Sequence, residues 1–553
     1  MRGRQVFMES LIAHGVDAIF GNPGTTENPL LDSLVDYPSI KYYVALQESI
    51  AMSAASFYAQ AKGSASVVNL HVAPGLGNAI GMMFGALKAN SPVLVTAGQQ
   101  DTRMRLREPL LSYDLVEMAK PVVKWSAEPR TADEMAPILS RAFKIVMTPP
   151  RGPVFISLPV DVMSAETAVL VSTNRGQLVP PSADLDQIQE LAERLSRASA
   201  PAIIAGDDVT VYDGFDSLTK IAEITGAAVF QEGIRVHNNF PNNHPNYQGR
   251  MPFHASAIQN LLTPFDLVLL VGGQFFEEVW FDAENMIPKS ADVLQIESSA
   301  KQLEQNFSVS YGIVGHIGKT LKLLSESLTS SDASSSRNQK LLGIREERER
   351  KENQNSIPAE PSPMHPSTAS SEVIKALPTN AIVVDESITN SGEVANALNL
   401  SRPHQFYAGR GGGIGQGVAG AIGIQIAHPD KPVVCFSGDG SAMYSIQALW
   451  SASHHKLPIL FIIWANREYR VLKHNLDIYR LRYDSASNNP YPHMDLEKPV
   501  IDFVAIAKGH GVDAERIDDP EKIQAAVKKA FESGSPTLLE ITIAGKNENE
   551  RKS

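Results

Sequence analysis

The sequence predicts an α/β protein built from three doubly wound parallel-sheet domains. Three observations predict this fold class. The length of 553 residues exceeds the usual size of one domain. Short β-branched runs alternate with helix-length segments that end in Gly or Pro. The hydrophobic fraction of 43% and the charged fraction of 20% are ordinary for globular proteins, so fibrous and disordered classes are excluded.

The first two domains are predicted from strand–helix alternation. Residues 1–175 form the first domain, with the strand candidates Tyr42–Leu46, Ser66–Leu70, Pro92–Thr96 and Pro153–Leu158. Residues 183–330 form the second, with the helical segment Leu185–Ala198 and the strand candidates Ala202–Ala205, Asp266–Gly273 and Asp292–Ile296. Repeated alternation of this kind is typical of parallel sheets covered by helices on both faces.

A change in composition separates the last domain from the first two. Residues 331–369 are Ser-rich, then charge-rich, then Pro-rich, which is typical of a linker without a packed core. The third domain is predicted over 370–545, with the strand candidates Ala381–Asp385, Pro432–Phe436, Pro458–Ile463 and Thr537–Ile541. A charged tail, 546–553, follows it.

Charge and cysteine content limit the class of partner and the compartment. The net charge is −12 with acidic and basic residues interspersed, which argues against a nucleic-acid partner. The single cysteine, Cys435, lies in an apolar run and cannot form an intrachain disulfide, which fits a reducing compartment and a structural thiol. The N-terminus passes directly into the amphipathic stretch Val6–His14, so we expect no signal peptide. The longest apolar run, Leu457–Ala465, is far below the roughly 20 residues of a membrane span. We therefore expect a cytoplasmic protein that binds neither membranes nor nucleic acid.

Two segments resemble each other. His71-Val-Ala-Pro-Gly-Leu-Gly77 and Ser437-Gly-Asp-Gly-Ser441 each follow a strand candidate and precede a helix and a Pro-led strand. One hypothesis is that the first and third domains share an architecture. The regularity of α/β proteins in general is the alternative explanation.

The strongest chemical signal is a Gly-Asp-Gly motif and a distant asparagine. Gly438-Asp439-Gly440-Ser441 leaves the strand candidate Pro432–Phe436, and Asn466 follows the next strand candidate, 27 residues after Asp439. Carboxyl ends of neighbouring parallel strands meet at one sheet edge, so Asp439 and Asn466 can share a cation. Their oxygens suit Mg²⁺, and the glycines with the helix predicted to open at Ser441 suit a phosphate. The tripeptide alone is more often an ordinary turn, but the spacing and both strands favour a metal-bound diphosphate.

This motif and several others resemble those of the thiamine-diphosphate-dependent enzymes. The resemblance extends through Phe20-Gly-Asn-Pro-Gly24, Leu46-Gln-Glu48, Asn69-Leu-His71, Thr96-Ala-Gly-Gln-Gln100, Gly411-Gly-Gly-Ile414 and Gly440-Ser-Ala-Met-Tyr-Ser445, and covers nearly the whole chain. Within the family the chain is most similar to the 2-oxo-acid decarboxylases of the benzoylformate decarboxylase type, and less similar to acetolactate synthases. The resemblance implies an aminopyrimidine-binding first domain, a central domain and a diphosphate-binding third domain.

The resemblance also implies a set of binding residues. Asp439, Asn466 and the backbone carbonyl of Glu468 would hold Mg²⁺. The Gly412 carbonyl would accept a hydrogen bond from the aminopyrimidine, and Ile414 would support the thiazolium ring. Together with Gly412 and Ile414, the implied cofactor contacts, metal ligands included, are Pro23, Gly24, Glu48, Thr389, Asp439, Gly440, Ser441, Tyr444, Asn466, Glu468, Tyr469 and Val471.

Three residues of the first domain match catalytic positions of the family. Glu48 would hydrogen-bond the pyrimidine ring and promote loss of the thiazolium proton. His71 would give a proton to the product or orient the substrate, as an imidazole titrating near neutral pH can. Thr25 stands where relatives bind the substrate carboxylate with a serine. Outside the family, a Glu at this kind of position mostly favours a helix N-terminus, and an isolated strand-end His is mostly a hydrogen-bonding residue.

Two features depart from the pattern or leave alternatives open. Alignment through Gly272, Phe276 and Asp282 places Val279 where benzoylformate decarboxylases have a second histidine. Either Glu277, Glu278 or Trp280 replaces it, or this stretch is a domain-edge loop without a catalytic role, which is the more common case. Loss of that proton donor would slow aldehyde release and favour carboligation. The basic segment Arg467–Arg482 either attracts an anionic substrate or is a solvated helix face, and Tyr469, Leu472 and Tyr479 are more often packing residues than pocket residues.

The favoured function is the decarboxylation of an aromatic or branched 2-oxo acid to an aldehyde and CO₂, with thiamine diphosphate and Mg²⁺. One alternative is a carboligase or lyase that makes or cleaves 2-hydroxy ketones or 2-hydroxyacyl thioesters. Another is a cofactor-binding scaffold without turnover. The resemblance further implies a homodimer or homotetramer whose active site lies between subunits.

Overall fold

The computed structural model describes residues 1–172, 180–283, 285–354, 363–485, 487 and 489–546. These residues form two compact units. Residues 1–172, 363–398 and 408–546 make up one unit, and residues 180–354 with 399–407 make up the other. The boundaries predicted for the three domains remain a prediction.

The first six-stranded sheet lies in the N-terminal part of the chain. Its strands are β1 (Ala18–Gly21), β2 (Lys41–Val44), β3 (Ser66–Leu70), β4 (Val93–Gln99), β5 (Ser126–Ala127) and β6 (Val154–Pro159), in the order β2-β1-β3-β4-β6-β5 with parallel ladders. The helices are α1 (Gly3–Ala13), α2 (Asn28–Ser33), α3 (Glu48–Lys62), α4 (Val72–Lys88), α5 (Leu115–Ala119), α6 (Met135–Met147) and α7 (Val160–Ser164). Short 3₁₀ turns cover Thr25–Glu27, Leu34–Asp36, Thr102–Arg107, Lys120–Val122 and Ala132–Glu134. The central strands β3, β4 and β6 are fully buried, as β-branched runs covered on both faces should be.

The second sheet forms the core of the other unit. Its strands are β7 (Pro201–Ala205), β8 (Ala228–Gln231), β9 (Tyr247–Arg250), β10 (Leu267–Val271), β11 (Asp292–Glu297) and β12 (Tyr311–Val314), in the order β12-β11-β10-β7-β8-β9. Its helices are α8 (Leu185–Arg197), α9 (Asp208–Val211), α10 (Phe215–Thr225), α11 (Ala255–Leu262), α12 (Ile317–Ser327) and α13 (Asp332–Gln354). Apolar clusters on both faces of this sheet form the core.

The third sheet contains the predicted metal motif. Its strands are β13 (Ile382–Glu386), β14 (Phe406–Ala408), β15 (Val433–Gly438), β16 (Ile459–Ala465), β17 (Asp513–Ile517) and β18 (Thr537–Thr542), in the order β14-β13-β15-β16-β18-β17. The helices are α14 (Pro366–Lys375), α15 (Ser391–Ala397), α16 (Gln416–Ala427), α17 (Asp439–Ala442), α18 (Ala448–His454), α19 (Arg470–Arg482), α20 (Phe503–Gly509) and α21 (Pro520–Glu532), with a 3₁₀ turn at Ile388–Asn390. The three sheets confirm the predicted fold class.

The first and third sheets share one strand order. Counted along each domain, both run second, first, third, fourth, sixth and fifth, whereas the second sheet runs sixth, fifth, fourth, first, second and third. This agreement favours a shared architecture over general α/β regularity as the source of the sequence echo.

The residues predicted as a linker contain a long helix. Helix α13 covers Asp332–Gln354, and α14 begins at Pro366, before the predicted end of the linker at residue 369. The α13 side chains of Arg337, Arg345 and Arg348 donate hydrogen bonds to backbone carbonyls of the same unit. The helix therefore docks mainly through polar hydrogen bonds, with Leu341 packed against the apolar core, and such a helix has no apolar stripe for composition to reveal.

Two further expectations can be compared with the structure. Cys435 is buried, and burial raises the pKa of its thiol well above the ordinary range, as for a structural thiol. In the described part of the chain, every helix lacks either the length or the apolar character needed to cross a membrane.

Candidate active site

A buried glutamate organises the carboxyl ends of β1, β3 and β4. The Glu27 side chain is fully buried, and its carboxylate accepts hydrogen bonds from the Gly24 N–H at 2.8 Å and the Gly98 N–H at 3.0 Å. The Thr26 hydroxyl donates to the same carboxylate at 2.7 Å. The fourth partner is His71, whose Nδ1 lies 2.8 Å from Glu27 Oε2. Glu27 therefore fixes the position of the predicted catalytic histidine.

The Glu27 contact also selects the tautomer of His71. A carboxylate only accepts hydrogen bonds, so the proton belongs on Nδ1, which leaves Nε2 as the nitrogen able to exchange a proton. The ring is about three-quarters buried, whereas Glu27 has no exposed surface. A histidine whose Nδ1 is held by a buried carboxylate in this way is oriented for proton transfer at Nε2.

Glycines make this close packing possible. A Cβ on Gly24 would lie 2.1 Å from His71 Nδ1, and one on Gly98 would lie 2.0 Å from Glu27 Oε1. Side chains at these positions would displace the histidine or its partner. Close packing against His71 thus explains why the Phe20-Gly-Asn-Pro-Gly24 motif ends in a glycine.

Glu48 lies at the N-terminus of α3, which Gln47 caps by accepting the Ser49 N–H at 2.7 Å. The Glu48 side chain is 8% exposed. Its carboxylate accepts hydrogen bonds from Asn78 Nδ2 at 3.0 Å and Asn22 Nδ2 at 3.4 Å. Two amide donors thereby hold the carboxylate in one orientation.

Glu48 and His71 lie on either side of Gly75. A Cβ on Gly75 would be 3.1 Å from Glu48 Oε1 and 3.5 Å from the His71 Cβ. The two predicted catalytic residues of the first domain are therefore brought together. Thr25 is exposed, and it is the neighbouring Thr26 whose hydroxyl lies 3.4 Å from His71 Nδ1.

The predicted metal ligands gather at the carboxyl ends of β15 and β16. These strands pair in parallel with Gly438 opposite Trp464, so Asp439 and Asn466 leave adjacent strand ends. Asp439 Oδ2 accepts the Arg467 N–H at 2.6 Å, and Asn466 Oδ1 accepts the Glu468 N–H at 3.1 Å. Helix α17 begins at Asp439 rather than at the predicted Ser441. Burial raises the Asp439 pKa to about 6, against the lowering effect of its backbone hydrogen bonds.

The Glu468 side chain is occupied elsewhere. Its Oε1 accepts the Lys546 N–H at 2.6 Å, and its Oε2 pairs with the ammonium of Lys473, which is 4% exposed. Only the Glu468 backbone carbonyl is then a reasonable metal ligand. Within the described ranges no group of three or more His, Cys, Asp or Glu side chains could hold a metal ion. The expected set is of another kind, with one carboxylate, one amide and one backbone carbonyl.

The remaining cofactor candidates surround these ligands. A Cβ on Gly440 would lie 2.6 Å from the Tyr469 ring, and one on Gly415 would lie 2.7 Å from the Tyr444 Cβ. At Gly412, by contrast, a Cβ would meet no described atom within 4 Å. Thr389 and Ile414 are half-buried, Ser441 is buried, and Pro23 and Val471 are half-buried.

These residues fit a metal-bound diphosphate and its organic ring. Asp439 and Asn466 each keep acceptor capacity after their recorded hydrogen bonds, and both offer the hard oxygens that Mg²⁺ prefers. Gly440 is buried beside them, and the Tyr469 ring leaves no room there for a side chain. Gly412 is exposed, so a ring can reach its backbone.

The helix after the metal motif has two different faces. Lys473 is buried in its ion pairs with Glu468 and Asp495, whereas Leu472 and Tyr479 are 45% and 44% exposed. A cavity of about 560 Å³ lies against the Lys473 face and is also lined by Asp477 and Tyr491. Leu472 and Tyr479 are therefore only partly buried within this chain, and the Tyr479 ring lies 5.1 Å from the Tyr483 ring. In the second unit, Val279 is 68% exposed.

Helix packing separates the two halves of the site within one chain. Gly423 of α16 meets Ala54 of α3, and Gly420 meets Phe57, so the two helices cross antiparallel. Glu48 is the first residue of α3, whereas the glycines before α16 lie beside the last turn of α3. The two are separated by about fourteen residues of α3, or about 20 Å at 1.5 Å per residue.

A second helix gives the same separation. His71 precedes α4, whereas it is Gly85, fourteen residues along α4, that meets Arg410 and Gln416 beside the glycine segment. At 1.5 Å per residue this is again about 20 Å. Glu48 and His71 of one chain therefore lie far from the glycine segment of the same chain.

Comparisons with known proteins identify a family over most of the chain. Family models for thiamine pyrophosphate enzymes, pyrophosphate being a synonym of diphosphate, match three regions. The N-terminal TPP binding domain matches residues 1–118, the central domain 188–324 and the C-terminal TPP binding domain 388–541.

Individual relatives cover nearly the whole chain. Benzoylformate decarboxylase of Pseudomonas aeruginosa is 32% identical over 96% of this chain and 97% of its own length. A putative acetolactate synthase large subunit of Mycobacterium tuberculosis is 27% identical over 98% and 99%. The structure of a thiamine-diphosphate-dependent 4-hydroxybenzoylformate decarboxylase from Rhodococcus jostii RHA1 is similar with a TM-score of 0.88 and 29% identity, over 99% of this chain and 100% of that one.

Proposed function

Because the chain belongs to the family of thiamine pyrophosphate enzymes, we propose that it uses thiamine diphosphate and Mg²⁺ to remove CO₂ from a 2-oxo acid without oxidation, releasing an aldehyde. The observation that carries the proposal is the pair formed by Glu48 and the Glu27-bound His71 around Gly75. Such a pair combines a fixed carboxylate with a histidine ready for proton transfer, which a cofactor-binding scaffold without turnover would not need.

The cofactor is held by residues of the first and third domains. Asp439, Asn466 and the Glu468 carbonyl hold Mg²⁺, and Thr389, Gly440, Ser441 and Tyr444 bind the diphosphate. Gly412, Ile414, Pro23, Gly24, Tyr469 and Val471 contact the rest of the molecule, and the Glu48 carboxylate hydrogen-bonds the pyrimidine ring. When bound, thiamine diphosphate supplies a nucleophilic carbon and an electron sink for the bond that breaks.

His71 manages the proton of the reaction. Decarboxylation replaces CO₂ on the product carbon with a proton, so an acid must stand near that carbon. Glu27 holds His71 Nδ1, and Nε2 therefore delivers the proton. The exposed hydroxyl of Thr25, or the buried one of Thr26 beside His71, contacts the substrate carboxylate.

The substrate class follows from the relatives and from the exposed face of α19. Two of the compared proteins act on aryl 2-oxo acids by name. Leu472 and Tyr479 offer apolar surface on the helix that follows the metal ligands. We therefore favour an aromatic or branched 2-oxo acid.

The active site lies between two copies of the chain. Glu48 and His71 are each about 20 Å along a helix from the glycines of their own chain, a distance no single cofactor contact bridges. A second copy supplies the missing half, which supports a homodimer or a homotetramer, and the enzyme acts in the cytoplasm.

Carboligation is the second candidate. Val279 stands at the position of the family's second histidine and is exposed, so the proton supply is smaller than in a benzoylformate decarboxylase. The similarity to an acetolactate synthase subunit points the same way. Such an enzyme, or a related lyase, would join or cleave 2-hydroxy ketones or 2-hydroxyacyl thioesters.

The experiment that tests the proposal supplies the purified protein, thiamine diphosphate and Mg²⁺ with a panel of 2-oxo acids. CO₂ and aldehyde are followed together. Equal amounts of both support the decarboxylase. A 2-hydroxy ketone formed from an aldehyde mixture without CO₂ supports the carboligase, and neither product from any substrate contradicts both.

A further inference from the structure

The segment that carries Gly412 and Ile414 has an unusual backbone. We call residues 409–415, between β14 and α16, the glycine loop. Gly411, Gly412 and Gly415 have φ angles of +83°, +72° and +96°, a region that side chains rarely adopt. Glycine loses much conformational freedom when it is fixed. A loop with this composition needs other groups to hold it in one shape.

Glu386 binds the C-terminal end of the glycine loop. Its side chain lies at the carboxyl end of β13 and is buried. Its Oε1 accepts the N–H groups of Gly415 and Gln416 at 2.9 Å each, and its Oε2 accepts the N–H of Gly417 at 2.9 Å. These N–H groups lie at the start of α16 and have no partner within the helix. One carboxylate thus satisfies three of them.

Gln416 closes the loop onto itself. Its side-chain amide donates to the Gly413 carbonyl at 2.7 Å and to the Arg410 carbonyl at 3.0 Å. A Cβ on Gly409 would lie 2.8 Å from the Gln416 side chain. Gln416 therefore fills the inside of the loop, and it is 5% exposed.

Helix α4 contacts the loop on another side. A Cβ on Gly411 would lie 3.2 Å from the Gly85 Cα, and one on Gly413 would lie 3.3 Å from the Met82 side chain. At Gly412 a Cβ would meet no described atom within 4 Å. The loop is thus held at both ends and on one side, while Gly412 stays accessible.

We propose that Glu386 and Gln416 are positioning residues that hold the glycine loop in the shape in which it receives the organic ring of the cofactor. The proposal rests on the proposed function for what Gly412 and Ile414 contact. Neither side chain touches the cofactor. They act through the backbone, by fixing the Gly412 carbonyl and the Ile414 side chain before binding, so that little ordering is required when the cofactor arrives.

This role has a signature that a merely structural role lacks. The proposed Mg²⁺ ligands Asp439 and Asn466 are held by the N–H groups of Arg467 and Glu468, and the glycine loop reaches the proposed diphosphate site only at its end, where a Cβ on Gly415 would lie 2.7 Å from the Tyr444 Cβ. Loss of either positioning residue should therefore weaken thiamine diphosphate binding more than binding of inorganic diphosphate with Mg²⁺. A general loss of folding would weaken both ligands.

The experiment compares Glu386→Gln and Gln416→Met with the wild type in the cofactor-free protein. A glutamine at 386 keeps one acceptor oxygen and places an N–H₂ group against a backbone N–H. A methionine at 416 keeps the volume and removes both donated hydrogen bonds. The control is Glu521→Gln, which removes an exposed carboxylate in the first turn of α21.

Two readouts are used. Hydrogen exchange of peptides covering residues 409–417 should rise about tenfold in both variants, since the loss of a buried hydrogen bond favours opening of the loop by about that factor. Calorimetric titration should give an affinity about tenfold lower for thiamine diphosphate with Mg²⁺, and a clearly smaller loss for inorganic diphosphate with Mg²⁺. The control should match the wild type throughout.

Two results would overturn the proposal. One is wild-type exchange of the glycine loop in both variants. The other is an equal loss of affinity for thiamine diphosphate and inorganic diphosphate, which would show a role in stability only. Failure of the wild type to bind thiamine diphosphate would instead contradict the proposed function, and the exchange of the loop would still report on Glu386 and Gln416.

Discussion

At the scale of single residues, Glu27 determines what His71 can do. A histidine at a strand end has two nitrogens and two neutral tautomers, and only a fixed partner selects one. Glu27 is itself fixed by two backbone N–H groups and the Thr26 hydroxyl. The proton-transfer geometry is therefore built by backbone atoms of the strand ends, through one buried carboxylate.

Glu27→Gln should lower kcat by about 100-fold, near the lower end of the range for general acid–base catalysis. The amide can donate to His71 Nδ1 and so stabilise the wrong tautomer. Cofactor affinity, measured by calorimetry, should stay at the wild-type value. Glu117→Gln, at an exposed position of the same domain, is the control. A wild-type kcat in Glu27→Gln would show that His71 does not depend on Glu27.

Glu386 gives a pH-dependent prediction. Burial raises its pKa to about 7, with the nearby Asp385 carboxylate adding to the rise and three backbone N–H groups opposing it. The native protein then holds a proton here that the unfolded chain has lost. This contribution to stability is full below the ordinary carboxyl pKa and disappears as the pH rises through about 7.

Infrared spectroscopy checks the titration of Glu386. The component of the protonated-carboxyl band that fades with a midpoint near pH 7 in the wild type should be missing from Glu386→Gln, whereas the component of Asp439, whose pKa is about 6, should remain. The Glu521→Gln variant should keep both components. A midpoint at the ordinary carboxyl value would contradict the effect assigned to burial.

At the scale of elements, the third sheet brings the proposed metal ligands Asp439 and Asn466 together. Strands β15 and β16 are buried, parallel and adjacent, so the residues that follow them share one edge. The two ligands are fixed further by the backbone N–H groups of Arg467 and Glu468. A rigid pair of strand ends is what Mg²⁺ requires, since it tolerates little departure from its preferred geometry.

Asp439→Ala should release the cofactor. Removing the carboxylate leaves Mg²⁺ without its charged protein ligand, so the affinity for thiamine diphosphate should fall at least about 100-fold. Equilibrium dialysis at several Mg²⁺ concentrations measures this. Any thiamine diphosphate that the variant still binds should be bound independently of Mg²⁺. Mg²⁺-dependent binding at the wild-type level would show that Asp439 is not a metal ligand.

Some elements could be predicted from sequence and others could not. The buried β-branched runs of β3, β10 and β15 were predicted within a few residues, because a strand covered on both faces has a continuous apolar sequence. Strand β5, with two residues, and the edge strand β9, with its half-buried polar residues, carry no such signal. Helix α13 was missed because it contacts the rest of its unit mainly through polar side chains and has no apolar stripe.

The candidate site shows the same limit. Glu48, His71, Asp439 and Asn466 belong to motifs that local sequence displays. Glu27, Glu386 and Gln416 act through backbone N–H and carbonyl groups distant in the chain, such as that of Gly98 for Glu27. These hydrogen-bond partners come together only in the folded arrangement of strands, so no spacing along the chain predicts them.

At the scale of the whole molecule, one chain holds two halves of a site that do not meet. The antiparallel crossing of α3 and α16, and the length of α4, separate Glu48 and His71 from the glycine loop of the same chain by about 20 Å. In the proposed dimer, a second copy supplies the missing half. Oligomerisation is therefore part of the catalytic mechanism in this account.

Mixing two inactive variants tests that arrangement. Glu48→Gln and Asp439→Ala damage opposite halves, so a mixed dimer carries one intact site and one doubly damaged site. After unfolding or exchange of subunits, random mixing should restore about one intact site in four. Each variant alone is the control. No recovery in a mixture shown by mass spectrometry to contain mixed dimers would place both residues in the same chain's site.

The most direct test of the central claim compares the wild type with Glu48→Gln, both loaded with thiamine diphosphate and Mg²⁺ and supplied with an aryl 2-oxo acid. Our account predicts equal amounts of CO₂ and aldehyde from the wild type. The variant should release neither, although calorimetry shows the cofactor bound. Product release by Glu48→Gln at the wild-type rate would contradict it.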